Sequence, residues 1–459
     1  MAAETPAPRP DVVLVMTDQQ RYDQVGYAST GHFETPHLDG LARRGVVFET
    51  AYSASTVCVP ARTALLTGLQ PHRLPTQENR FALREGFWTL AHELRHAGYQ
   101  TALVGKMHFA PVHADHGFEI MRLCEHLSGQ GLGPLSEARG DVTDDYHDWL
   151  LAHGLPDARL DGAPGIALPP EAHPTEWVAR EAAEVLASRD LARPLFLVVS
   201  FPHPHAPYDP PEPYASMYDP ADSVLPDGGY ELNDRLPMRL TFSIAAATSR
   251  AEAADERAVR GFLATVRGMV KQIDDALGRI LASLDLDSTL VLFTSDHGDY
   301  AGHRGLMRKT PWVPFDDLAR VPLVMAGGPV VGGRRVAEVV QSCDLALTCL
   351  DVAGVERPAG VEFGTRSLRP ILEDPTATGD PDRAVYSATS LDWPAVRLGR
   401  YKLMRMSAEG PRVLFDLADD PQERVNRVTD PSLRQVRADL DHRLDVTLSE
   451  PVLDVPAPR

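Results

Sequence analysis

Asp11-Val12-Val13-Leu14-Val15-Met16 is apolar at every position after its first, and similar runs return at Leu195–Val199, Leu290–Thr294 and Val321–Met325. Runs that do not alternate predict strands covered on both faces, as in a parallel sheet. Shorter runs at Val46–Ala51 and Thr101–Val104 predict two more strands. Between them the apolar spacing changes to the helical period. Helices are predicted from Thr35-Pro36 through Leu41, closed by Gly45, and over Thr89–His96 with Gly98 as the cap. Two more are predicted over Glu176–Ser188 and, as a long amphipathic element, over Glu256–Leu284. Alternating strands and helices predict an α/β fold: a doubly wound, mostly parallel sheet flanked by helices.

Two stretches break this pattern. From His116 to Pro170 periodicity is weak and Gly, Pro and His are frequent, which predicts loops and short helices near the mouth of a site. Beyond Pro375 the runs shorten. Ala384–Ser387, Ala395–Leu398, Tyr401–Met406 and Val413–Asp416 read as a small antiparallel sheet, with a terminal helix over Pro431–Leu448. The expected organisation is a large domain over residues 1–375 and a small C-terminal α+β subdomain over 376–459 packed on it.

With 459 residues, 43% hydrophobic and 24% charged, the chain has ample apolar surface for a full core. A formal net charge of -19 argues against nucleic acid or an anionic membrane as partner. An anionic ligand would need a local positive site set against that field. Four cysteines, Cys58, Cys124, Cys343 and Cys349, do not make a disulfide framework in a chain of this length. Met1-Ala2-Ala3-Glu4-Thr5-Pro6 has no basic stretch leading into an apolar one, and Val12–Met16 is too short to cross a bilayer. A cytoplasmic protein is expected.

Candidate chemistry concentrates in loops that follow predicted strands. These are Asp18-Gln19, Lys106-Met107-His108 and Ser295-Asp296-His297-Gly298-Asp299. Ligand sites of open α/β sheets lie beyond the carboxyl ends of strands, so the three loops are placed to converge. Two carboxylates, an amide oxygen and an imidazole suit Ca2+, Mg2+ or Mn2+. Taken singly, each residue has a plainer role: Asp18 as a helix cap, Asp296-His297-Gly298 as a turn, Lys106 and His108 as solvated loop residues. In His203-Pro204-His205-Ala206-Pro207, prolines fix the backbone that carries an imidazole.

Thr56-Val57-Cys58-Val59-Pro60-Ala61-Arg62 opens a helical run that continues through Thr63-Ala64-Leu65-Leu66-Thr67-Gly68. Pro60 suits a first turn, where its missing N–H needs no partner. Cys58 then lies at the positive end of a helix, with Arg62 one turn along the same face, a corner that favours an anion. On its own, such a cysteine is most simply inert core.

In this order, Thr17–Gln20, Cys58–Gly68, Gly105–His108, Phe201–Pro211, Ser295–Gly298 and Lys309, with the tail motifs Arg397–Leu403, Leu414–Leu417 and Asp420-Pro421, resemble the type I sulfatases of the alkaline phosphatase superfamily. The resemblance covers nearly the whole chain. It implies hydrolysis of a sulfate ester, a small anionic substrate, to an alcohol and sulfate. It also implies that a formylglycine-generating enzyme oxidises Cys58 to formylglycine, whose hydrate is the nucleophile. Asp18, Gln19, Asp296 and His297, with the diol derived from Cys58, are then expected to hold a divalent metal. Arg62 would orient the diol, Lys106 and Lys309 would bind the sulfate oxygens, and His205 or Lys309 would protonate the departing alcohol. His108 would take the proton from the second diol hydroxyl as sulfate leaves, and Asn79 is a further candidate for substrate contact.

Gln19 and His297 stand where many family members carry Asp and Asn. With the Gly-Lys-Met-His-Phe string they point to the branch of choline sulfatases and phosphonate monoester hydrolases. Fewer carboxylates leave Ca2+ the first expectation and Mn2+ the second, and a phosphonate monoester or phosphodiester the alternative substrate. Members of that branch often assemble, so a homo-oligomer fits the resemblance. Trp312 and Phe315, just after Lys309, are expected in the core rather than in a substrate pocket.

Overall fold

The computed structural model describes residues 9–453 except 30–31, 80, 82, 84–85, 126–143, 157–167, 227–254, 378, 389–392 and 407–409. Nine strands form one sheet: β1 (Asp11–Asp18), β2 (Val46–Tyr52), β3 (Gln100–Gly105), β4 (Ile120–Leu123), β5 (Leu195–Pro204), β6 (Thr289–Ser295), β7 (Arg320–Val321), β8 (Leu323–Ala326) and β9 (Arg334–Gln341). Their order is β4-β3-β5-β1-β6-β8-β2-β7, with β9 also on β2. The run β4-β3-β5-β1-β6 is parallel throughout. β8 is antiparallel to both β6 and β2, so β2 points the same way as β1.

Helices α1 (Pro36–Arg44), α2 (Cys58–Thr67), α3 (Leu90–His96), α4 (Pro174–Ser188), α5 (Glu256–Leu281) and α6 (Asp344–Val352) cover the two faces. Along β1, Val12, Leu14 and Met16 enter one core with α2, α3 and α6, while Val13 and Val15 enter the other with α1, α4 and α5. That two-sided burial is why the central strands read as unbroken apolar runs. α2 has no exposed face, because all ten of its residues are buried. It ends at Gly68, whose left-handed backbone (φ 68°) suits glycine and closes the helix against Ala346 and Phe363.

The C-terminal strands β10 (Ala384–Ser387), β11 (Ala395–Leu398), β12 (Tyr401–Arg405) and β13 (Arg412–Asp416) form an antiparallel meander. One face packs Val396, Leu403 and Leu414 against Leu440 and Leu444 of α7 (Arg434–Leu448). The other packs Ala395, Met404 and Phe415 against Tyr300, Leu306, Phe315 and Leu318. The small sheet therefore lies under the chain that follows β6.

Several details depart from the sequence reading, β9 and α6 among them, neither of which was expected. β4 lies within the stretch expected to be loops, where four residues paired to β3 are too few to show a period. The 126–143 and 157–167 parts of that stretch, like residues 1–8, lie outside the described residues. Val321–Met325 is not one strand: Pro322 lacks the ladder N–H and separates β7 from β8. Trp312 is 45% exposed rather than core, whereas Phe315 is buried as expected. No described helix is long and apolar enough to cross a membrane.

Candidate active site

The parallel strands end together, and their ends carry the chemistry. β1 and β6 pair with Thr17 opposite Ser295, which brings Asp18 beside Asp296. Lys106 leaves β3, Ser200 and His205 belong to β5 and its loop, and Cys58 is the first residue of α2. Asp18, Cys58, Arg62, Lys106, Asp296 and His297 are all buried.

Arg62 ties the strand ends together. Its Nε donates to Asp296 Oδ2 at 2.9 Å and Nη2 to Asp18 Oδ2 at 3.2 Å, while Nη1 donates to the Lys106 carbonyl at 2.7 Å and Ser200 Oγ at 2.8 Å. A planar fork can hold four such acceptors at once, which lysine cannot. Lys106 Nζ sits 2.6 Å from Asp18 Oδ2. Burial alone would push the Asp18 carboxyl up, but Lys106, then His205 and Arg62, hold it well below the usual range.

Cys58 Sγ lies 2.9 Å from Lys309 Nζ, 3.2 Å from His297 Nε2 and 4.0 Å from Asp18 Oδ1. Burial and Asp18 raise the thiol, yet Lys309 and His297 outweigh them and bring it down to about 7. Lys309 is raised despite burial, chiefly by Cys58 and Asp18. His205 moves the other way, well below its ordinary value, through burial and then Lys309. His297 is raised, because Asp296 and Cys58 overcome burial. Its Nδ1 faces the Gly298 carbonyl at 3.0 Å, and a ring that donates there presents an Nε2 lone pair to the cluster.

Gln19 has a left-handed backbone (φ 67°) and its Nε2 donates to Asp299 Oδ2 at 2.5 Å and to Tyr208 Oη at 3.1 Å, so its Oε1 is the atom left to serve as a ligand. His108 stands two residues from Lys106 with φ 64°. Glu125 holds that loop by accepting from the N–H groups of Met107 and His108. Asn79 Oδ1 accepts from the Val59 N–H at 3.0 Å, one residue after Cys58, and so caps the start of α2. Arg62, expected on the Cys58 side chain, spends its donors on the carboxylates, a carbonyl and a hydroxyl.

Ser200, Tyr208, Glu125 and Asp299 complete the surroundings. Asp299 closes the Ser295–Asp299 loop and Tyr208 lies in the Phe201–Pro211 motif, neither with a role assigned from sequence; Ser200 and Glu125 were not picked out and act through contacts between distant segments.

The chain is similar to known proteins over nearly its full length. Residues 10–355 match the Sulfatase family, and residues 312–450 match the family described as N-sulphoglucosamine sulphohydrolase, C-terminal. An arylsulfatase of Clostridium perfringens is 31% identical over 92% of this chain and 90% of its own length. A choline-sulfatase of Rhizobium meliloti is 30% identical, covering 92% of this chain and 83% of that one. Among solved structures, the phosphonate monoester hydrolase of Agrobacterium radiobacter superposes with a TM-score of 0.79 at 25% identity, covering 96% of this chain and 95% of that one. With this fold beneath a buried cysteine, two carboxylates and an imidazole, the chain belongs to the sulfatase family of the alkaline phosphatase superfamily and is a sulfuric ester hydrolase.

Proposed function

We propose that this enzyme hydrolyses a small organic sulfate ester through a formylglycine made from Cys58, with Asp18, Gln19, Asp296 and His297 holding a divalent cation. One observation carries the reading. Ligand-type atoms of Asp18, Cys58, Asp296 and His297 all lie within 4.8 Å of one another in full burial. Two desolvated carboxylates, an amide oxygen and an oriented imidazole fit a hard cation, Ca2+ first and Mn2+ second. When bound, such an ion supplies Lewis-acid polarisation and lowers the pKa of a hydroxyl beside it. Cys58 Sγ marks the place of an oxygen of the hydrated aldehyde, a nucleophile able to release sulfate as its carbonyl re-forms.

The protein's own groups divide the remaining work. Arg62 fixes the spacing of Asp18 and Asp296, and through the Lys106 carbonyl it also fixes the β3 loop. Lys106 and Lys309 neutralise the non-reacting sulfate oxygens, usually the largest electrostatic contribution in such displacements. His205 Nδ1 faces the Ala206 carbonyl at 2.9 Å, so a neutral ring presents a lone pair at Nε2. Lys309, whose pKa is raised, is the group with a proton to give to the departing alcohol. His108 serves as the base for the later proton. A maturation enzyme that converts Cys58 is the partner this reading requires.

Mass spectrometry of the peptide bearing Cys58, from protein made with such an enzyme, should show the aldehyde or its hydrate, and the converted protein should hydrolyse aryl sulfates. A permanently unmodified thiol in fully active enzyme overturns the mechanism. A phosphonate monoester or phosphodiester substrate is the second reading, favoured by Gln19 and His297 and by the likeness to the Agrobacterium enzyme. Comparing kcat/KM on matched aryl sulfate and aryl phosphonate esters separates the two; a large preference for the phosphorus ester reverses the order.

A further inference from the structure

The tail motifs Arg397–Leu403 and Asp420-Pro421 have no part in the chemistry above, yet they lead to one buried structure. Lys402 Nζ sits 2.7 Å from Asp316 Oδ1 and 2.7 Å from Glu423 Oε1. Glu423 Oε2 accepts from the Asp316 N–H at 2.8 Å and from Arg304 Nη2 at 2.9 Å. Arg304 also donates to Asp317 at 2.6 Å and to the Gln422 carbonyl at 2.9 Å. Arg21, two residues beyond Gln19, donates to the other oxygen of Asp317 at 3.0 Å.

These contacts reach two of the three loops of the site, Asp18-Gln19 and Ser295–Asp299. The turn Asp316–Ala319 supports the ligand-bearing turn directly, because Gly298 N–H donates to the Leu318 carbonyl at 2.8 Å. A Cβ on Gly298 would stand 2.2 Å from the Asp317 carbonyl oxygen, so nothing larger fits that approach. The segment between His297 and Lys309 closes on itself through the Tyr300 N–H to the Arg308 carbonyl and the Gly302 N–H to the Leu306 carbonyl, yet Ala301, Arg304 and Arg308 within it have left-handed backbones. Non-glycine residues in that conformation persist only when their surroundings over-determine them. Glu423, itself at φ 52°, and the small sheet supply those surroundings.

We propose that Glu423, seated by Lys402, is a positioning residue for the sulfatase reaction: it clamps the 296–318 segment so that His297 and Lys309 meet at Cys58. The proposal rests on the reading of those residues as the site. It assigns the C-terminal sheet a catalytic consequence without substrate contact.

Glu423→Gln in the full chain tests it, since Gln keeps an acceptor while Lys402 and Arg304 each retain another carboxylate. Hydrogen exchange should accelerate at least tenfold in peptides covering 296–309 and stay unchanged in β11–β13, with the native circular dichroism spectrum retained. Turnover of an aryl sulfate should fall about 10- to 100-fold in kcat, the range for residues that orient ligands, with KM nearly constant. Glu423→Ala should lose more than Glu423→Gln. Should Ala fail to fold, Arg304→Lys replaces it, keeping charge but losing the fork. Unchanged exchange over 296–309, a kcat within twofold of the wild type, or exchange rising equally throughout the C-terminal sheet would each overturn the proposal. Cys58→Ala serves as the separate control: retained activity there defeats the site reading, while the exchange result still decides the clamp.

Discussion

Two buried clusters of charge meet across the turn Asp316–Ala319, and they are built to different rules. Around Cys58, Arg62, Lys106 and Lys309 face Asp18 and Asp296, with Asp299 and Glu125 buried just behind them. Beneath the turn, Arg21, Arg304, Arg397 and Lys402 face Asp23, Asp316, Asp317 and Glu423, four against four. Desolvated charge is tolerated when paired and costly when not. The balanced cluster is complete as it stands. In the other, Lys309 meets the Cys58 sulfur at 2.9 Å rather than a carboxylate, a place that suits an anion arriving from outside.

The sharpest way to break this contrast is to remove Cys58, the precursor of the nucleophile in the proposed mechanism. Cys58→Ala should lower kcat on an aryl sulfate by on the order of 10^4-fold or more, with the melting temperature held or raised. Next comes the lysine beside it. Lys309→Met should reduce kcat by roughly 10^2- to 10^3-fold, as loss of one preorganised charge does, and urea unfolding should find stability little changed.

The equivalent change in the balanced cluster should fall mainly on stability. Lys402→Met leaves Asp316 to Arg397 and Glu423 to Arg304, and should cost about 1.5–3 kcal/mol in urea unfolding. Equal effects of the two lysine substitutions on stability would erase the distinction. The smallest effect is in acid. Burial would raise Asp316, but Lys402 and Arg397 hold it below the usual range. Its folded pKa is thus depressed, so its contribution stands above about pH 4 and is lost as pH falls below that. Wild-type stability should drop more steeply below about pH 4 than that of Lys402→Met.

What was legible in the sequence follows the same division. β1, β3, β5 and β6 announced themselves because burial on both faces demands unbroken apolar runs. The residues at their ends, Asp18, Lys106, His205 and Asp296, were legible because a parallel sheet gathers its strand ends on one edge. β9 was missed: its Arg334, Arg335 and Glu338 interrupt the apolar pattern of a strand only partly covered. Ser200 and Glu125 were missed because each matters through partners 138 and 18 residues away, which no local period encodes. The balanced cluster was visible only as tail motifs without a purpose, since ion pairing is a property of the folded arrangement.

Cys58 is 1% exposed, and the groups that seal it come late in the chain: His297 and Lys309 lie 239 and 251 residues beyond it. At about 5–20 residues per second, synthesis of that interval takes on the order of 10–50 s. For that time the thiol is already made and the walls of its site are not. The site cannot close before that interval has passed, so any second protein that must reach Cys58 has at least that long to do so.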